Sequence, residues 1–182
     1  MVRRVIEVSV VLLFLVVVAA IGAARIWPEP GHGFWWQVAG LARFPDDFGP
    51  LDISQVTRRA TPSDALVCPE SYCQKTKPDI VAPLFGVPAA ELRRKLSIVA
   101  QSEPRTAELP CSADCGKSAR FVQYSALFMF PDTIDVKVLD AGASSSTLAM
   151  YSRSLAGAGD QGVNRARLER WLAGLARITP LP

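Results

Sequence analysis

The residues with chemistry to offer gather near the C-terminus, in the run Y-S-R-S-L-A-G-A-G-D-Q-G-V-N-R-A-R from Tyr151 to Arg167. Arg153, Arg165 and Arg167 carry guanidinium forks, which donate two parallel bonds to a phosphate or carboxylate. Asp160 brings a carboxylate and Asn164 an amide that caps helices well. Arg165 and Arg167 fall in the opening turns of a predicted helix, where the macrodipole disfavours positive charge, so something negative should stand close by. Two readings follow. Asp160 supplies that charge in a small internal network with Arg153, or Arg153, Arg165 and the first-turn N–H groups hold an anion from outside, with Asp160, Asn164 and Arg167 around it.

The same run contains a literal G-x-G-x-x-G in Gly157, Gly159 and Gly162. A dinucleotide fingerprint also needs a second parallel strand after the helix, ending near an acidic residue, and the sequence supplies neither. Asp160 inside the loop would face a pyrophosphate with like charge. No nucleotide, metal or other cofactor is expected. Catalytic constellations are absent as well: the serines at 144–146, 152 and 154 have no histidine near them, and the only histidine is His32, flanked by glycines far upstream. Asp132, Asp135 and Asp140 sit around predicted turns, where acidic residues are expected anyway, and nothing places two of them across a cleft; the alternative to a binding role is an uncharacterised, hydrolase-like enzyme with a non-standard site.

The elements that position these residues are legible from periodicity. Leu148, Met150 and Ser152 alternate with Ala149, Tyr151 and Arg153, a strand from Thr147 to Ser154. Leu168, Trp171, Leu172, Leu175 and Ile178 form one apolar stripe of a helix, with Arg167, Glu169, Arg170 and Arg177 off it. Asn164 stands at the predicted N-cap and Pro180 ends the helix. Upstream, 87–100 predicts another helix, 105–109 a short strand and 120–130 a central strand. Pro131, Asp132 and Thr133 predict a turn. Ile134, Val136 and Val138 then alternate with Asp135 and Lys137, a strand with a solvated outer face, and 140–146 connects to the last strand. The order predicts an α+β domain, an antiparallel sheet with two helices on one face, preceded by a transmembrane helix.

The Y-S-R-S to W-L run, with F-P-D-T-I-D-V at Phe130 to Val136, resembles the domain of unknown function 1499 family from about Phe44 to Ile178. The resemblance implies that Ser152, Arg153, Asp160, Gly162, Asn164, Arg165 and Arg167 are signature positions. The family often shows C-P-x-S-P-N-C, where this chain has the shorter Cys68-Pro69-Glu70-Ser71-Tyr72-Cys73. The family's activity is itself unassigned.

The rest of the chain speaks to location. Of 182 residues, 49% are hydrophobic, enough for one domain with a core. The net charge of +3 is too mild and too scattered for a nucleic-acid surface. Arg3 and Arg4 precede an apolar run from Val8 to Ala24, extended by Val5 and Ile6. Its length favours a retained anchor over a signal peptide cut after Ala24, and either exports the remainder. Trp27, Phe34, Trp35 and Trp36 read as an interfacial belt. The expected layout is an anchor at 1–25, an aromatic and proline-rich irregular arm at 26–83 and a compact domain at 84–182. The expected setting is the plasma membrane with the domain outside the cytoplasm, and the partners are the membrane, an envelope protein or a small anion. In an exported chain, Cys68 with Cys73 and Cys111 with Cys115 read as disulfides more readily than as zinc ligands, with the connectivity open.

Overall fold

The computed structural model describes residues 11–19, 47, 49–111, 114–126, 130–155 and 159–179. It shows a six-stranded sheet in the order β2-β1-β6-β5-β4-β3. The strands are β1 (Asp64–Cys68), β2 (Ile80–Val81), β3 (Thr106–Glu108), β4 (Ser118–Tyr124), β5 (Pro131–Asp140) and β6 (Ser146–Ser154). Two helices, α1 (Ala89–Ser102) and α2 (Val163–Ile178), complete the α+β domain.

The sheet is mixed, because β1 and β2 run parallel while every other pair is antiparallel. The predicted sheet was antiparallel throughout. The difference comes from the stretch expected to be an irregular arm, which supplies both β1 and β2. β1 shows no alternation because it is buried on both faces, with Ala65 and Val67 toward one core and Leu66 and Cys68 toward another. A doubly covered strand reads as a plain apolar run, and D-A-L-V-C among prolines gives no periodic signal.

Both helices lie on one face, as the pattern predicts. Leu92 and Leu96 of α1 and Leu168, Trp171 and Leu175 of α2 join Phe121, Ile134, Val138, Leu148 and Met150 in a single core. Each fully buried aliphatic side chain there stabilises the fold by about 1.5–3 kcal/mol. Trp171 meets Phe121 edge-on, with centroids 5.3 Å apart and planes at 84°, the arrangement that ring quadrupoles favour. The helices touch where Gly174 has no side chain: a Cβ there would stand 2.7 Å from Val99 Cγ1. Of the predicted stripe, Ile178 is exposed and Arg167 is buried instead.

The opposite face is not solvated. The segment 49–56, with a single 3-10 turn at Ile53–Gln55, lies across β5 and β6 and packs Ile53 and Val56 on Leu66, Ala149 and Tyr151. That cover explains why Asp135, expected to face water, is only 3% exposed. It also corrects the predicted turn at Pro131 to Thr133: those residues open β5, and Pro131 takes the first strand position, where a missing N–H is tolerated. The central strand correspondingly stops at Tyr124 rather than Phe130.

Residues 11–19 are helical with exposed apolar side chains, and the rest of the expected anchor, the tryptophan belt and His32 lie outside the described residues. Among the described residues, no helix is long and apolar enough to cross a membrane.

Candidate functional site

The five residues singled out at the C-terminal end are divided by the sheet. Arg167 is 2% exposed and lies between α2 and the strands. Its Nε donates to Gln123 Oε1, one terminal nitrogen donates to Ser152 Oγ at 2.7 Å and Asn164 Oδ1 at 2.6 Å, and the other donates to Asp132 Oδ2. Four of its five N–H groups are thereby engaged. Asp132 neutralises the charge from β5.

Asn164 is fully buried and belongs to the same network. Its amide donates to Ser63 O at 3.1 Å, Ser154 Oγ at 3.0 Å and Asp160 Oδ2 at 2.6 Å. Asn164 is therefore not the helix cap. Asp160 does that work, accepting from the backbone N–H of Gly162 at 3.0 Å and of Asn164 at 2.9 Å. Gly162, at φ 80°, takes the left-handed turn that lets the loop double back to make these bonds. Asp160, Asn164 and Arg167 thus tie the start of α2 to β4, β5, β6 and Ser63 just before β1, with the polar atoms of Asn164 and Arg167 directed inward.

Arg165 does not join them. It is exposed and pairs along the helix with Glu169 at 2.9 Å. Arg153 is on the far face of the sheet, because residues alternate sides along β6 and its neighbour Ser152 faces α2. There it donates to Gly49 O at 3.1 Å and Thr133 Oγ1 at 3.3 Å, and stands 3.7 Å from Asp135 Oδ2. Neither expected assembly forms: Arg153 meets neither Asp160 nor Arg165.

What the far face does hold is a second set of charges that strand patterning missed. Arg120 and Asp135 are register partners on β4 and β5, and Arg120 Nε donates to Asp135 Oδ1 at 2.8 Å. Arg120 also grips Asp47. Arg120 and Arg153 together pin the covering segment at Asp47 and Gly49. Asp135 Oδ2 is buried and accepts no hydrogen bond among the described residues. Burial pushes the Asp135 carboxyl above its ordinary value, outweighing the hydrogen bond from Arg120 and the charges of Arg120 and Arg153. The signal available in the sequence was an Arg and an Asp at the centres of two adjacent strands, at positions that read equally well as solvated.

Beside this cluster opens a pocket of about 300 Å³. Ser118, Arg120, Asp135 and Lys137 form its floor, and Pro50 to Ile53 form one wall. Tyr72 contributes from the loop closed by Cys68–Cys73, while Cys111 and Asp114 contribute from the loop closed by Cys111–Cys115. The two disulfides, with S–S distances of 1.97 and 2.06 Å, settle the connectivity as local. Asp114 is held at φ 49° and its carboxylate pairs with Lys137. No group of metal-ligating side chains occurs among the described residues.

Residues 55–175 match the family described as protein of unknown function (DUF1499), and the chain belongs to that family. No curated protein matches the sequence.

Proposed function

We propose that this DUF1499 domain is a ligand-binding module of the cell envelope, carried on the outer side of the membrane by the apolar segment at its N-terminus. The observation that carries this reading is the convergence of three separately immobilised walls on one pocket. Two loops are each closed by a disulfide, and the covering segment is tied down by Arg120 and Arg153. Walls fixed before a ligand arrives lower the ordering cost of binding, which is what a recognition site requires. The volume is at the small end of the range for small-molecule sites, and a mostly apolar wall over a few polar groups is their usual make-up.

The setting is supported by two disulfides, which persist in oxidising compartments, and by the apolar run from Val8 to Ala24. The anion reading of the helix start loses its support, since Arg153 and Arg165 lie apart and Arg167 is enclosed. The hydrolase alternative would need a second group acting with Asp135. The neighbouring carboxylates of Asp47 and Asp114 are already ion-paired.

The test is a thermal-shift screen of the full chain in detergent against a chemically diverse small-molecule library, repeated on a Ser118→Tyr variant that fills the pocket. A compound at about 100 times its Kd raises stability by about 2.7 kcal/mol, and the shift should vanish in the variant. Hits that persist undiminished in Ser118→Tyr would refute this location, as would a library that shifts nothing.

A further inference from the structure

We infer that the Cys111–Cys115 bridge is a thiol-exchange switch: a dithiol opens it from the α1 side, and opening it loosens one wall of the pocket, a consequence that rests on the pocket reading. Three observations meet in this bridge.

The first is access. Cys111 and Cys115 are both exposed, whereas Cys68 is 0% and Cys73 6% exposed, packed with Ile53 and Val56 of the covering segment. Exchange begins when a thiolate reaches one sulfur, so an enclosed bridge waits for the fold to open and a surface bridge does not. The sequence separations, 5 and 4, are nearly equal, so loop closure does not distinguish the two.

The second is what surrounds Cys115. With Gly116 it lines a shallow groove against α1, opposite Arg93, Arg94 and Ser97. Arg93 is occupied by Glu108, Ser97 and Ser118 O. Arg94 is exposed, and its guanidinium has no carboxylate partner among the described residues. A cation in the groove favours the thiolate form of an approaching thiol. Cys111 lines the pocket instead, so the bridge divides the two depressions. A donor thiolate attacks Cys115 Sγ, the Cys111–Cys115 bond breaks, and Cys111 leaves as a thiolate that takes up a proton. The donor's second thiolate then attacks the donor sulfur of the mixed disulfide and releases Cys115. Two electrons and two protons pass to the protein, and the dithiol becomes a disulfide.

The third is what the closed ring holds. Asp114 lies inside it at φ 49°, a left-handed conformation that is unfavourable for an L side chain and persists where its surroundings impose it. From there its carboxylate pairs with Lys137, and its carbonyl accepts from the N–H groups of Lys117 at 3.0 Å and Ser118 at 2.8 Å. Asp114, Ser118 and Lys137 all line the pocket. Opening the ring frees Asp114 to leave this conformation, and the wall at 114–118 loosens with it.

The test exposes the full chain in detergent to graded dithiothreitol or to a reduced protein dithiol of the Cys-x-x-Cys type. Samples are quenched with iodoacetamide and each bridge is read by peptide mass spectrometry. Cys111 and Cys115 should be alkylated at least about tenfold faster than Cys68 and Cys73, the gap between a surface reaction and one that waits for opening. The relative rates of the two donors tell a protein dithiol from a small one. Glutathione, which lacks a second thiol, should be trapped on Cys115, and Arg94→Glu should slow that trapping without changing urea stability. In the selectively reduced protein, hydrogen exchange at the amides of Lys117 and Ser118 should rise, and a compound that shifts the melting of the oxidised chain should shift the reduced chain less. Bridges that open together, an adduct on Cys111, trapping indifferent to Arg94→Glu, or exchange unchanged on reduction each overturn the inference. Compounds that shift both forms alike overturn it with the pocket intact. If no compound shifts either form while reduction is selective and exchange rises, the switch stands and the pocket reading falls.

Discussion

Replacing Arg167 by methionine tests whether the buried polar network is structural. Methionine follows the volume of the arginine stem, so the change removes the charge and four hydrogen bonds while leaving little cavity. Asp132, 7% exposed, is left as an enclosed carboxylate without its counter-ion. Breaking a buried pair in this way costs about 3–5 kcal/mol. Gln123 Oε1 also loses its donor. For a unit of about 120 residues, an unfolding entropy of about 2.1 cal/mol/K per residue converts that range into a fall in Tm of about 12–20 °C. Arg165→Met is the control. Its partner Glu169 is exposed, so the change should stay within about 0.5 kcal/mol, or roughly 2 °C. A third variant, Arg167→Met with Asp132→Leu, removes both charges and should recover a large part of the loss, since it is the orphaned carboxylate that costs most. Urea unfolding followed by circular dichroism reads all three. The reasoning fails if Arg167→Met lies within about 1 kcal/mol of the parent, or if the double variant is no more stable than the single one.

Two further outcomes follow. Cys68 and Cys73 are buried and close a short loop at the edge of the covering segment, so Cys68→Ala with Cys73→Ala should cost about 2 kcal/mol by the chain-entropy estimate for a loop of that size, read by urea melts. Asp135 has its folded-state pKa raised above the ordinary value of 3.8, chiefly by burial, so the native state holds its proton over a window in which the unfolded state has released it. Its contribution is therefore present below that ordinary value and is lost as pH rises through the higher folded value. The stability of the Asp135→Asn variant should show less decline across that window, and a decline identical to the parent's would refute the assignment.

The parts of the fold that repeat with a single period were legible in the sequence. α2 emerges from a helical stripe because one of its faces is buried and the other exposed, and β6 from a long run whose two faces carry different residue types although both are covered. β1 was not legible, since it is short, apolar on both covered faces and set among prolines. The exposure of Asp135 was misread for a related reason: an alternating strand reports which residues differ, and cannot report that a distant segment covers the polar side. The network around Asn164 and Arg167 lies between those cases. Asp160, Asn164 and Arg167 belong to it, whereas Arg153 and Arg165, grouped with them in the sequence, do not, and Gln123 and Asp132 were not singled out as its members; for the β6 residues the destination depends on which side of the strand each takes. Ser152 and Arg153 are adjacent in sequence and on opposite faces of the sheet. The disulfides were expected, whereas their place at the rim of a pocket required the β4–β5 register that brings Ser118 opposite Lys137.

The position of β1 bears on how the protein is made. β1 lies inside the sheet, yet its antiparallel neighbour is β6, with Asp64 opposite Arg153. A chain emerging from its N-terminus therefore presents L-V-C with only the two residues of β2 to pair against until nearly the whole domain has appeared. Contacts this distant slow folding because the intervening loop must close first. The Cys68–Cys73 bridge needs only six consecutive residues and is available throughout that wait. Local cross-linking would restrain a strand with one edge still open, at the stage when exposed apolar backbone is most prone to find the wrong partner.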